Sequence, residues 1–252
     1  MWRNTRLVVL AAMTASLYAA LLIPFKVLPL IPGVTELRPA NAVPVVCSML
    51  FGPAAAWGAA IGNLIGDFFG GIGPGDLFGF AGNFLYGFLP YRAWRALSDG
   101  DPLPRTAAQW VAFTAVVAVA AGACALVVGW GLNLLGFVPF ALLANVVFFN
   151  NFVMAMVLAP LLLRAVYPRV KAAGLRIDDL APPAPRARAV RRLGLALVVL
   201  GVVGGFIAGN AISTGQLEIA ALASVPPGPR AAQVGVGVAP FLLLLLLGLL
   251  LL

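Results

Sequence analysis

Eight apolar runs divide the chain of 252 residues, and most are as long as a bilayer is thick. A helix that crosses the hydrocarbon core needs about 20 mostly apolar residues. Runs at 7–25, 54–70, 76–94, 107–135, 140–166, 193–212 and 234–252 meet or approach that length. The run at 42–51 is shorter and stops at Gly52-Pro53, a turn signal. In lipid, a spanning backbone satisfies its polar groups within a helix or a closed barrel, and runs this long read as helices. The expected fold class is all-α, a polytopic membrane protein. Composition closes the alternatives: 62% of the residues are hydrophobic and 10% are charged. A soluble domain carries about 25% charged residues, and disorder requires low hydrophobicity.

The chain has no His, which excludes a His general base, a Ser-His-Asp triad and a His-ligated metal. Cys47 and Cys124 lie far apart in apolar runs and read as small buried residues, not as a redox or zinc pair. No cofactor or metal is expected. A GxxxxGK[ST] phosphate-binding pattern is also missing, so any ATPase activity would belong to another chain.

The formal charge is +8, from 16 basic and 8 acidic residues. In a soluble protein that excess would suggest nucleic acid; here its placement carries topology. Arg3 and Arg6 precede the first run, as in a signal peptide, but the run is long and more spans follow, so a retained helix is expected. With the N-terminus cytoplasmic and eight alternating spans, thirteen of the sixteen basic residues fall on the cytoplasmic side. Lys26, Arg38 and Arg230 are left outside. The expectation is a multi-pass protein of the cell membrane with both termini cytoplasmic and no nucleic-acid partner. Three parts are expected: a six-span domain at 1–170, a basic, Pro-rich linker at 171–192, and a two-helix transmembrane hairpin at 193–252 ending in a lipid-facing poly-Leu tail.

The few polar groups within the spans are the candidates for function. Gly58, Gly62, Gly66 and Gly70 recur every four residues, a pattern that lets a neighbouring helix backbone approach closely. Asn63 and Asp67, at i and i+4, share another face of the same helix. Asp67 either sits wet at the outer interface or lines a cavity. Asp76 either caps the next helix or serves a ligand. Asn83 and Tyr86 lie deeper in that helix, as interhelical glue or ligand contacts. Asn145, Asn150 and Asn151 cannot all share one face, and Asn145, on the outer half, is the expected cavity member. Glu36, Arg38 and Asn41 occupy the loop at 26–41 and complete the outer polar set. Trp57, Phe78 and Tyr86 suit a flat heterocycle, or are packing. Ala11, Ala15 and Ala19 form a second small-residue face, on the first helix.

The order of these features resembles the substrate-binding S component of energy-coupling factor (ECF) vitamin transporters. Paired short spans meet at Phe51-Gly52-Pro53 after an Ala-xxx-Ala helix and a long loop. Within that group, Arg38-Pro-Ala-Asn41-Ala42-Val-Pro-Val-Val46, Gly62-Asn63-Leu64, Asp76-Leu-Phe-Gly79 and Leu89-Pro-Tyr91-Arg92 look like the QueT-type, queuosine-precursor branch. The resemblance covers about residues 1–170. It implies a six-helix core that captures a small vitamin-like or nucleobase-like molecule from outside. A transmembrane coupling protein and two ATPase subunits would then drive uptake by toppling the core in the membrane. It further implies that Ala11, Ala15 and Ala19 dock the coupling protein, and that the loop at 26–41 is a lid. The last two spans depart from the six-span pattern.

Two other classes compete. A stand-alone secondary transporter of a small organic solute fits the Pro/Gly breaks at Gly52-Pro53 and Pro139, although no inverted repeat is visible. A membrane-embedded enzyme would use Asp67 and Asp76 as a carboxylate pair, without any recognisable nucleophile or metal motif beside them.

Overall fold

A computed structural model describes the whole chain except residues 33–34, 99, 183–185 and 223–228. Part of the Pro-rich linker, at 183–185, therefore lies outside the described residues. The expected runs become helices with boundaries shifted by a few residues. These are α1 (Thr5–Leu22), α2 (Ala42–Phe51), α3 (Pro53–Phe68), α4 (Asp76–Leu97), α5 (Ala107–Leu134) and α6 (Phe140–Ala172). They are followed by a single-turn α7 (Ile177–Leu180), then α8 (Arg188–Ser213) and α9 (Pro229–Leu251). Among the described residues, five helical segments are long and apolar enough to cross a membrane, at Thr5–Val27, Ala107–Leu134, Phe140–Leu180, Arg188–Ser213 and Arg230–Leu251. The protein is an all-α polytopic membrane protein.

Local sequence sets the ends of these helices. The Asn4 side chain accepts from the Arg6 N–H and caps α1. Thr106 and Gln109 form a reciprocal capping box at α5. Gly52 takes φ +55° between α2 and α3, a conformation that favours glycine, and Pro53 opens α3 where its missing N–H costs nothing.

Close packing follows the small residues. A Cβ on Gly58 would stand 2.7 Å from the Ala11 carbonyl oxygen, and one on Gly62 would stand 2.7 Å from that of Ala15. The glycine ridge of α3 therefore seats α1 directly on its backbone. Ala11, Ala15 and Ala19 lie on the α1 side of this contact and are buried. A face buried inside the protein is not a docking surface, which corrects the expected role of these alanines. The outward face of α1 instead shows Ala12, Ser16 and Ala20 with Met13 and Leu17. The last hairpin uses the same device: Gly194 of α8 and Gly248 of α9 each face the other's carbonyl oxygen.

Two features lay beyond the expected helices. Between α1 and α2, β1 (Pro29–Ile31) and β2 (Thr35–Glu36) pair as a short antiparallel hairpin. At the other end of the bundle, α7 folds back so that Ile177 packs on Gly52, Asn4 donates to the Leu180 carbonyl, and Arg95 pairs with Asp178 at 2.6 Å.

Candidate functional site

The β-hairpin lies across one end of the bundle, over the end of α3 and the start of α4. Beneath it is a cavity of about 280 Å3. Its polar wall is Thr35 and Arg38 from the loop, Asn63 and Asp67 from α3, Asp76 and Asn83 from α4, and Asn151 from α6. Its apolar wall is Val128 and Leu132 of α5, Phe137, and Leu143 and Val147 of α6, with Cys124 at the base. Gly71, Gly73, Gly75 and Gly79 leave backbone facing the space where side chains would fill it.

A chain of charges ties the hairpin down. Lys26 bridges Glu36 at 3.0 Å and Asp67 at 3.3 Å. Arg38 donates to Glu36 at 2.9 Å through Nη2 and to Asn63 Oδ1 at 3.0 Å through Nη1. Asn63 donates in turn to Asp67 at 2.6 Å. Asn63 is 1% exposed and Asp67 is 8% exposed, so Asp67 belongs to the cavity and not to a wet helix end. Partly buried charges this close interact far more strongly than surface pairs. Asp76 accepts from the Gly73 N–H at 2.7 Å, which ties down the Gly-rich loop while its carboxylate lines the cavity.

A second layer holds the first. The Asn150 side chain donates to the Glu36 carbonyl at 2.8 Å and accepts from the Arg38 N–H at 3.3 Å, so α6 grips the hairpin backbone. The Asn41 amide donates to Asn151. The Tyr18 hydroxyl is 2.8 Å from Asn41 Oδ1 and 3.0 Å from Asn83 Oδ1, and its one proton serves one of them at a time. Tyr86 donates to the Asn151 carbonyl at 3.0 Å. Linked buried amides and phenols of this kind rigidify a site when every member is satisfied.

Of the residues singled out from sequence, Arg38, Asn63, Asp67, Asp76 and Asn83 line the cavity. Glu36, Asn41 and Tyr86 stand behind that lining and position it. Asn145 lies elsewhere: its amide donates to Asn210 of α8 at 2.7 Å and to the Ala141 carbonyl. Asn151 lies six positions after Asn145, which at 100° per residue puts them well apart around α6. Asn151 takes the place that Asn145 was expected to hold. Trp57 and Phe78 also leave the cavity and line an apolar groove on the outside of the bundle. Lys26 and Tyr18 were missed, and Asn150 was passed over in favour of Asn145. Of the two missed, Lys26 carried a signal, as one of the few basic residues left on the outer side.

Two results follow from this wiring. Asn145→Ala removes one interhelical hydrogen bond, worth about 0.6 kcal/mol in membrane proteins. A slightly lowered melting temperature with an unchanged cavity is expected, and loss of ligand binding in that variant would contradict the placement. Glu36 is the pH-sensitive member of the loop. Burial raises its carboxyl, but Arg38 and Lys26 outweigh this and hold it below its usual value of 4.5. A depressed carboxylate contributes stability that is full above its unfolded-state pKa and lost as pH falls through the folded one. Hydrogen exchange at the hairpin, corrected for intrinsic rates, should therefore be constant from pH 7 to 5 and rise below about pH 4. Greater protection in acid would contradict the ion-pair account.

A multi-pass helical bundle with a small polar cavity under a hairpin defines a class, the membrane proteins that hold small solutes. The sequence profile described as QueT transporter matches residues 8–168, and the chain belongs to that family of membrane transporters. No curated protein and no solved structure matches the chain. The matched region ends within α6, so α8 and α9 lie beyond it.

Proposed function

We propose that this transporter is the substrate-binding S component of an ECF-type importer, and that the cavity under the hairpin receives a small, flat, polar molecule such as a nucleobase-like vitamin precursor. The observation that carries the reading is the cavity's division into two walls. One is a row of amides, carboxylates and a guanidinium; the other is apolar. A heterocycle presents hydrogen-bonding edges to the first and a face to the second. Lys26, Glu36, Arg38 and Asp67 cancel one another's charge, which leaves the Asp76 carboxylate as the excess and favours a neutral or cationic ligand. Family membership supports transport, and the resemblance to S components supports partner-driven uptake. In this reading the hairpin end faces outward, both termini are cytoplasmic, the loop at 26–41 is the lid, and residues 1–170 act as one unit with 193–252 added to it. A coupling protein would dock on the outward face of α1, where Ala12, Ser16 and Ala20 allow a close approach.

The test is native mass spectrometry of the protein purified from cells, paired with uptake assays. Wild type should retain a small molecule. Asp76→Asn should weaken its binding at least about tenfold, the loss of roughly 1.4 kcal/mol. Ser16→Trp should bind normally and fail in uptake. Uptake that persists in cells without any coupling protein or ATPase subunits would instead establish a solitary transporter.

A further inference from the structure

Outside the cavity, an apolar groove of about 760 Å3 runs between α4, α5 and α9. Phe80 and Phe84 of α4, Trp130 of α5, and Leu242, Leu246 and Leu249 of α9 line it. Over the residues of α9 that face it, Ala239 to Leu249, the groove runs for about 15 Å at the rise of an α-helix. That is about half the hydrocarbon thickness of a bilayer.

The groove does not end in an apolar surface. Phe84 stacks on Phe88, and Arg92 lies over the Phe88 ring at 5.2 Å. Arg92 donates to the carbonyl of Leu252, three residues past the groove's last leucine. Arg186 donates to the carbonyl of Leu250. Arg191 sits one turn before Gly194, the residue through which α8 meets the end of α9. Three arginines thus surround the end of α9 where the groove stops. The nearby acid Asp178 is taken by Arg95. Among the described residues no Asp or Glu side chain pairs with Arg92, Arg186 or Arg191; the main-chain oxygen of Leu252 is what Arg92 meets. The Nε atoms of Arg92 and Arg191 are buried with no hydrogen-bond partner. A guanidinium shielded from water with a donor unmet is a costly arrangement for a protein to keep. An anionic oxygen supplied from outside the chain would satisfy it.

We infer that the groove and this arginine cluster together form a site for an anionic phospholipid, with one acyl chain along α9 and the phosphate among Arg92, Arg186 and Arg191. Basic pockets between transmembrane helices, placed at headgroup depth, select anionic lipids in this way. Charge decides the headgroup: three arginines, with no described Asp or Glu side chain facing them and at most the Leu252 carboxyl to offset one, favour a net anion over a zwitterion. Two of the three arginines and one groove wall come from beyond α6. The site therefore gives the added C-terminal segment a role of its own, holding it to α4 through a shared lipid.

The test uses the full chain, delipidated in detergent and titrated with phosphatidylglycerol or phosphatidylcholine of identical acyl chains, with native mass spectrometry as readout. Phosphatidylglycerol should be retained at least tenfold better. Arg186→Gln, an exposed linker position, combined with Arg191→Gln should abolish that preference and leave phosphatidylcholine unchanged. Ala239→Trp, which narrows the groove, should weaken both lipids; retention of both at wild-type levels would overturn the placement of the chain. Equal retention of the two lipids by wild type, or an undiminished preference in the double variant, would overturn the site. So would saturable binding of inorganic phosphate that displaces no lipid. The fold of each variant is checked by its melting temperature, and the single Arg186→Gln variant provides the same readout if the double variant melts early.

Discussion

Arg38→Met should unfasten the hairpin. The guanidinium joins Glu36 of the loop to Asn63 of α3, and methionine keeps the stem while removing every donor. Glu36 is left with Lys26 alone, and Asn63 loses the donor to its oxygen. Breaking one side of a well-shielded ion pair costs about 3 kcal/mol. Thermal unfolding in detergent should fall accordingly, hydrogen exchange should rise at Leu37, whose N–H donates to the Leu28 carbonyl, and retained ligand should be lost. Arg38→Lys should recover only part of this, because an ammonium cannot reach Glu36 and Asn63 with the same planar fork. A methionine variant that melts and binds like wild type would mean that the hairpin is held by Lys26 and by its backbone contacts to Asn150, without the guanidinium.

The second large effect is expected at Gly62→Leu. The added Cβ would stand 2.7 Å from the Ala15 carbonyl oxygen and 3.2 Å from the Ala15 Cα. These are backbone atoms of α1 and cannot swing aside as a side chain can. Overpacking a tight interface costs about 1–3 kcal/mol, and here the helices must part along their length. Tyr18, which holds Asn41 and Asn83, would move with α1, so the cavity should suffer together with stability. Gly73→Ala is the matched control, since an added Cβ there meets nothing within 4 Å. The leucine variant should be poorly expressed or melt well below wild type, and the alanine variant should melt like it. Equal melting of the two would refute the close helix contact.

How far the sequence could be read depended on the kind of signal. Helix ends were marked by residues with a local mechanism, such as Gly52-Pro53 and Pro139, and they fell close to where they were expected. The α6 boundary was the exception: hydropathy fades near Val166, but helical hydrogen bonds continue to Ala172 because they do not need lipid. Faces were harder. Helix α1 carries two small-residue stripes offset by one position, and pattern alone cannot say which turns inward; the burial of Tyr18 and Thr14 settles it for Ala11 and Ala15. The same ambiguity exchanged Asn145 for Asn151. The hairpin was invisible because strands of three and two residues carry no period, and Lys26 gained meaning only once the chain folded back over Asp67.

The charge chain under the hairpin has a consequence for movement. A binding site that travels across a bilayer must do so empty on the return stroke, and unpaired charge in that medium carries a heavy self-energy. Lys26, Glu36, Arg38 and Asp67 already hold one another within 3.3 Å, and they sum to zero. In the proposed cycle these four groups would thus behave as a closed dipole circuit in the vacated carrier, and the Asp76 carboxylate would be the one cavity charge left to be screened as it reorients.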